Sequence, residues 1–172
     1  MKTNLKLLAA AAVIGTFGLT DGAFAQTADT ETGNATVLLE APIVLTPVNT
    51  LDFGDVLVDA TGSTLTMNPA TSVVSQTGAF GLSGTPAAGS FTLTGDANRA
   101  ITITLPANAT LSPATVTAAD LTMDTFTTDA GGTPTIDGTG NFAFNVGANL
   151  VVPGSQPSDT YNGTYSVTVD YN

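Results

Sequence analysis

Chemistry in this chain has to come from oxygen. The sequence holds no Cys, no His and no Trp. That removes Ser-His-Asp and Cys-His nucleophile pairs, thiolate and imidazole zinc sites, the usual haem ligands and every disulfide. The nearest approach to a ligand loop is Asp137-Gly138-Thr139-Gly140-Asn141, with oxygen-bearing side chains at alternate positions. An EF-hand loop also wants Gly at its sixth position and Glu at its twelfth, where this chain has Phe142 and Ala148. Asp52, Asp55 and Asp59 read as a solvated acidic rim rather than a metal cage. A glycosidase needs two carboxylates flanking a cleft, one with a raised pKa. No motif nominates such a pair, and without Trp the aromatic platforms of a sugar site are missing. The expectation is therefore a protein that is not an enzyme, with no catalytic residue, no cofactor and no bound metal. Arg99, just after Gly95-Asp96, reads as the partner of a nearby carboxylate.

The start of the chain bears on compartment. MKTNLK is basic, an apolar run follows from Leu7 to Leu19, and small residues close it at Ala23-Phe24-Ala25. This is the layout of a secretory signal peptide, residues 1–25. Its apolar run is shorter than the roughly 20 residues of a membrane-spanning helix, so no transmembrane helix is expected. Removing residues 1–25 from 172 leaves 147, enough for one domain with a sizeable core. Arg99 is then the sole cation against 13 acids, a formal charge of −12. Such a surface repels nucleic-acid phosphates, and nucleic acid is excluded as a partner. The expected location is outside the cytoplasm: periplasm, cell surface or extracellular space.

The elements that must position these groups are strands. Threonine is spread through the chain with Val, Ile and Phe at alternate positions, which suits half-buried pleated strands, and helical periodicity is absent after residue 25. Ala100–Leu105 sends Ile101, Ile103 and Leu105 to one face, and Phe142–Val146 alternates as well. Further strands are expected near 35–45, 51–58, 63–67, 71–76, 90–95, 120–127, 149–152 and 163–171, divided by Gly, Pro, Asn and Asp clusters. The spacing predicts an all-β sandwich over residues 35–172. An outer-membrane barrel is disfavoured, since its strands need about 9–11 residues and aromatic girdles, and residues 26–172 hold only six Phe and three Tyr.

The two ends stand out. Residues 26–34 are polar and acidic and should form a flexible arm. After them, Ala35, Val37, Leu39, Ala41, Ile43 and Leu45 share one face, with Pro42 marking an edge or a break. At the other end Tyr161, Tyr165, Val167, Val169 and Tyr171 alternate with polar residues, as in a strong strand placed centrally or beside the N-terminal one. Tyrosines there should pack at the core margin with hydroxyl partners.

Pro42–Leu45, Leu51-Asp52-Phe53-Gly54, Phe91–Gly95, Ile101–Pro106, Val146–Leu150 and Tyr161–Tyr171 occur in an order that resembles the bacterial secreted family known as domain of unknown function 4402. The resemblance covers nearly all of residues 26–172. More distantly, Leu51–Gly54 and the terminal tyrosine pattern are similar to spore coat protein U, whose cysteines this chain lacks, and to chaperone–usher pilins. That resemblance implies an incomplete immunoglobulin-like sandwich whose groove is filled by the N-terminal extension of the next subunit. It implies Ala35, Val37 and Leu39 as donor-strand residues and a C-terminal strand, Tyr165, Val167, Val169 and Tyr171, lining the groove. Partners would be further copies, other surface subunits and a periplasmic chaperone. Two readings stay open: a structural subunit of a surface fibre, and a self-complete monomeric adhesin or ligand-binding module.

Overall fold

The computed structural model describes residues 28–78 and 81–172; the signal segment 1–25 lies outside them. Two units separate along the chain, Met1–Val37 and Leu38–Asn172. Of the first, residues 28–37 are described: they carry neither helix nor strand and are exposed.

The second unit is an antiparallel β-sandwich, with no helix among the described residues. Its strands are β1 (Val44–Asn49), β2 (Asp55–Leu57), β3 (Ser63–Met67), β4 (Val74–Thr77), β5 (Gly81–Ser83), β6 (Gly89–Thr94), β7 (Ile101–Thr104), β8 (Asn108–Pro113), β9 (Leu121–Thr128), β10 (Asn141–Val152), β11 (Tyr161–Gly163) and β12 (Thr168–Tyr171). The main sheet runs β1-β6-β10-β9-β8-β11, with β3 also on β10 and β4 on β3. Two small ribbons, β12-β7 and β2-β5, complete the fold. The main sheet ends at β1 and β11 rather than closing on itself, so these strands form no barrel.

β10 organises the interior. Its first half pairs with β6, from Asn141↔Thr94 to Val146↔Gly89, and its second half lies between β9 and β3. Phe144 and Val146 belong to one buried cluster with Leu93, Ile101 and Ile136. Ala148, Leu150 and Val152 belong to another with Phe53, Leu65, Met67, Leu121 and Met123. The sequence suggests two strands here, divided at Gly147; the structure has one. Gly147 does not break the strand. It lets the strand pass against β3, because a Cβ there would lie 2.2 Å from the Met67 carbonyl oxygen. A bulge follows, with Thr125 and Phe126 between the pairs Asp124↔Asn149 and Thr127↔Gly147. Thr125 takes a positive φ of 48°, and the inward face of β9 switches from Leu121 and Met123 to the half-buried Phe126.

Three expectations change. The strand expected over 35–45 begins only at Val44, because Pro42 has no N–H to give and residues 35–43 enter no ladder. β5 and β8 were not foreseen: β5 is three residues long, and β8 hides its inward Ala109 and Leu111 among polar neighbours. The strong strand over 163–171 is split into β11 and β12, and neither is central: β11 pairs only with β8, and β12 only with β7. The alternation itself is kept, since Tyr165, Val167, Val169 and Tyr171 are half-buried and Thr164, Ser166, Thr168 and Asp170 exposed. Thr164–Val167 has the faces of a strand but no strand partner among the described residues.

Candidate functional site: an open cleft and the root of the N-terminal segment

A cleft of about 720 Å³ opens between residues 50–58 and 156–163. Its floor is the first core, with Phe53, Leu121, Leu150 and Val152 at 4–6% exposure, and Leu111 and Tyr161 beside them. Its two walls, β2 and β11, each have one strand neighbour and an unpaired edge among the described residues. An apolar floor between free strand edges can hold an extended chain, which supplies main-chain pairing and side chains for the floor at once.

Local chemistry sets each wall. Asp52 exchanges main-chain hydrogen bonds with Ala87, both 2.8 Å, and its Oδ1 accepts from the Gly54 N–H at 2.8 Å. Gly54 has a φ of +77°, and a Cβ on it would sit 2.7 Å from the Ser83 carbonyl oxygen, so the turn requires glycine twice over. On the other wall, the Asp159 carboxylate accepts from the N–H groups of Thr115, Val116 and Thr160 at 2.7, 2.9 and 2.8 Å, and from Thr115 Oγ1 at 3.0 Å. The Thr115 N–H first, then that of Val116, lower its pKa to about 2. At neutral pH Asp159 is an ionised tie between loops, the opposite of a general acid. Tyr161 donates to the Pro157 carbonyl at 2.9 Å and accepts from Gln156 Nε2 at 3.1 Å, closing the same loop.

Asp137 plays a similar part in the oxygen-rich loop. Its Oδ1 accepts from the Asn141 N–H at 2.9 Å and from Thr139 N–H and Oγ1 at 2.8 and 2.7 Å, bonds that hold its pKa down. The carboxylate turns inward to its own loop. Among the described residues no three His, Cys, Asp or Glu side chains converge as metal ligands would.

A second arrangement surrounds Glu40 and Ala41. Arg99 forms an ion pair with Glu40 and lies 5.3 Å from the centre of the Tyr171 ring. The Ala41 N–H donates to Asp96 Oδ2 at 3.0 Å, and the Tyr171 hydroxyl donates to the Ala41 carbonyl at 3.0 Å while accepting from the Asp96 N–H at 2.7 Å. Arg99 thus has the carboxylate partner expected of it. On the N-terminal side, Val37, Leu38 and Leu39 are 81, 73 and 85% exposed, and Ala35 is exposed as well.

The C-terminal residues pack differently from the cleft. Tyr165 meets Phe126 with ring centres 5.3 Å apart and Phe91 edge-on at 6.1 Å, and Val167, Val169 and Tyr171 lie against the second core. Burial raises the pKa of the Tyr165 hydroxyl. None of these four lines the cleft; Tyr161, Asn162 and Gly163 do. The sequence does not reveal this cleft, although two of its motifs supply walls, Leu51–Gly54 on one side and the start of Tyr161–Tyr171 on the other.

Fold and site define an all-β antiparallel sandwich whose cleft walls have strand edges unpaired among the described residues, around apolar surface. The model of the family described as domain of unknown function (DUF4402) matches residues 43–171, and the chain belongs to that family. No curated protein and no solved structure matches it. No helix among the described residues is long and apolar enough to cross a membrane.

Proposed function

We propose that this protein is an exported, non-enzymatic structural subunit of a cell-surface fibre or similar assembly, joined to its neighbours by strand donation. The observation that carries the reading is the pairing of surplus with deficit. Val37, Leu38 and Leu39 stand exposed in a segment without a strand, while β2, β11 and the Thr164–Val167 stretch offer edges that lack a strand partner among the described residues. Ala35, Val37 and Leu39 of one copy would enter the edge surface of the next, beside the segment bearing Tyr165, Val167, Val169 and Tyr171. In that assembly the sandwich is the incomplete, immunoglobulin-like kind. Burying Val37 and Leu39 contributes about 1.5–3 kcal/mol each, with main-chain pairing added.

Light scattering on size-fractionated chains 26–172 and 42–172 tests this. The longer chain should form oligomers, and the shorter should be a monomer that takes up a peptide of residues 34–45. Because removing residues 26–41 also removes Glu40, a Val37→Asp/Leu39→Asp double variant serves as the control that leaves the rest of the chain intact, and it too should be monomeric. A longer chain that stays monomeric at every concentration sinks the reading. The cleft of about 720 Å³ favours one alternative, a self-complete module that binds a ligand there, and a monomer at all concentrations would turn the search to it.

A further inference from the structure

We propose that Asp96, Arg99 and Tyr171 form a latch that fixes the root of the N-terminal segment at Glu40-Ala41 and ties it to the last strand of the sandwich. The latch is a property of the single chain and stands apart from the fibre reading. Residues Glu40 and Ala41 belong to no strand, yet the pair is gripped at three points: the Glu40 carboxylate by Arg99, the Ala41 N–H by Asp96, and the Ala41 carbonyl by the Tyr171 hydroxyl. The gripping groups come from two places far apart in sequence, the turn between β6 and β7 and the penultimate residue of the chain. They also hold one another, since Asp96 N–H donates to the Tyr171 hydroxyl and Arg99 sits over its ring.

Backbone polar groups outside a ladder normally turn to water, and three separate partners on one dipeptide are more than a passing coil acquires. Charge makes the arrangement specific. Arg99 is the only Lys or Arg among the described residues, and among the carboxylates there it forms its ion pair with Glu40. Pro42 restricts the next residue pair, since its ring fixes φ and disfavours helical backbone at Ala41. A binding partner that engages residues upstream of Glu40 therefore meets a segment whose exit point is already set, which lowers the ordering cost of binding. It also meets a segment mechanically continuous with β12.

The chain carries two glutamates, Glu31 and Glu40, and this makes the test direct. A glutamate-specific protease acting on chain 26–172 should cut after Glu31 quickly and after Glu40 slowly. An isolated peptide of residues 26–45 gives the intrinsic ratio of the two cuts, including any effect of Pro42. Relative to that peptide, Glu40 in the folded chain should be protected about tenfold or more. Arg99→Gln and Tyr171→Phe should each relieve most of the protection while leaving the urea midpoint near that of the parent chain. Should either variant lose its fold, the unaltered chain in 1 M salt supplies the second readout, since screening weakens the half-exposed ion pair and should speed cleavage at Glu40 but not at Glu31. Glu40 cut as readily as in the peptide, or protection indifferent to both substitutions and to salt, overturns the latch.

Discussion

β10 and the segment Tyr161–Tyr171 are written in the same alternating code and end in opposite situations. In β10, Phe144, Val146, Leu150 and Val152 point into two cores while β6, β9 and β3 occupy its edges. In the C-terminal segment Tyr161, Tyr165, Val167, Val169 and Tyr171 are only half-buried, the ladder lapses over Thr164–Val167, and among the described residues each remaining piece has a single strand neighbour. Alternation reports which side chains face inward. The number of neighbouring strands is set by what else the chain brings alongside, and period-two spacing carries no record of that. A fully flanked strand is a structural element; one with an unused edge is a place where a second chain can add itself.

The comparison breaks most sharply by truncating one side chain in each region. Phe144 is 2% exposed and stacks on Phe91 with ring centres 5.4 Å apart, so Phe144→Ala should cost about 3–5 kcal/mol through lost burial and the cavity left behind. Val169 is half-buried on a strand with one partner, and Val169→Ala should cost under about 1 kcal/mol. Urea unfolding of the two variants reads both. Equal costs would show that the C-terminal segment is as deeply integrated as β10.

A second substitution separates a packing requirement from a strand-breaking one. Gly147→Ala keeps a residue well able to sit in a strand but places a methyl group against the Met67 carbonyl. Overpacking of this kind costs about 1–3 kcal/mol, and the same unfolding experiment measures it. A neutral result would mean that Gly147 marks a flexible joint after all.

These contrasts explain how much of the molecule was legible beforehand. The all-β class, β3 at its observed bounds, and the inward faces of β7 and β10 follow from side-chain periodicity, a local signal. The family, too, could be read from short motifs such as Leu51–Gly54 and Tyr161–Tyr171. The cleft could not. It exists because residues 50–58 and 156–163, about a hundred positions apart, frame the same opening, and because Asp159 spends its carboxylate on Thr115 and Val116. The latch was half legible: a lone cation must find a carboxylate, but its choice of Glu40 depends on where the turn between β6 and β7 comes to rest.

Asp159 offers a gentler probe of the cleft wall. Its pKa in the folded chain, about 2, lies below the unfolded value, so its hydrogen bonds add stability that is fully present above the unfolded pKa and is lost as pH falls through the folded one. Asp59 and Asp137 are shifted in the same direction by bonds within their own turns. Stability should therefore decline between about pH 4 and pH 2. Asp159→Asn should start lower at neutral pH and decline less across that window, as read by urea midpoints at pH 7, 4 and 2.5. A variant with the parent's full acid dependence would place the sensitivity in the other carboxylates.

The smallest effect concerns association and follows from charge alone. Chain 26–172 carries one Arg and no Lys against 13 acids, and that Arg is engaged by Glu40, so the net negative charge makes copies repel as they approach. Between 0.01 M and 0.15 M salt the screening length falls from about 30 Å to about 8 Å, which removes most of the long-range repulsion and would leave untouched the burial of Val37 and Leu39 that the proposed strand donation requires. Self-association should tighten with salt, by less than about tenfold, in sedimentation equilibrium. The sign is the informative part. Association that weakens with salt would require opposite charges to meet across the contact, and once the α-amino group of residue 26 is blocked only Arg99 could supply the positive one. The ion pair with Glu40 would then have to open on assembly, making the root of the N-terminal segment a switch instead of a fixed anchor.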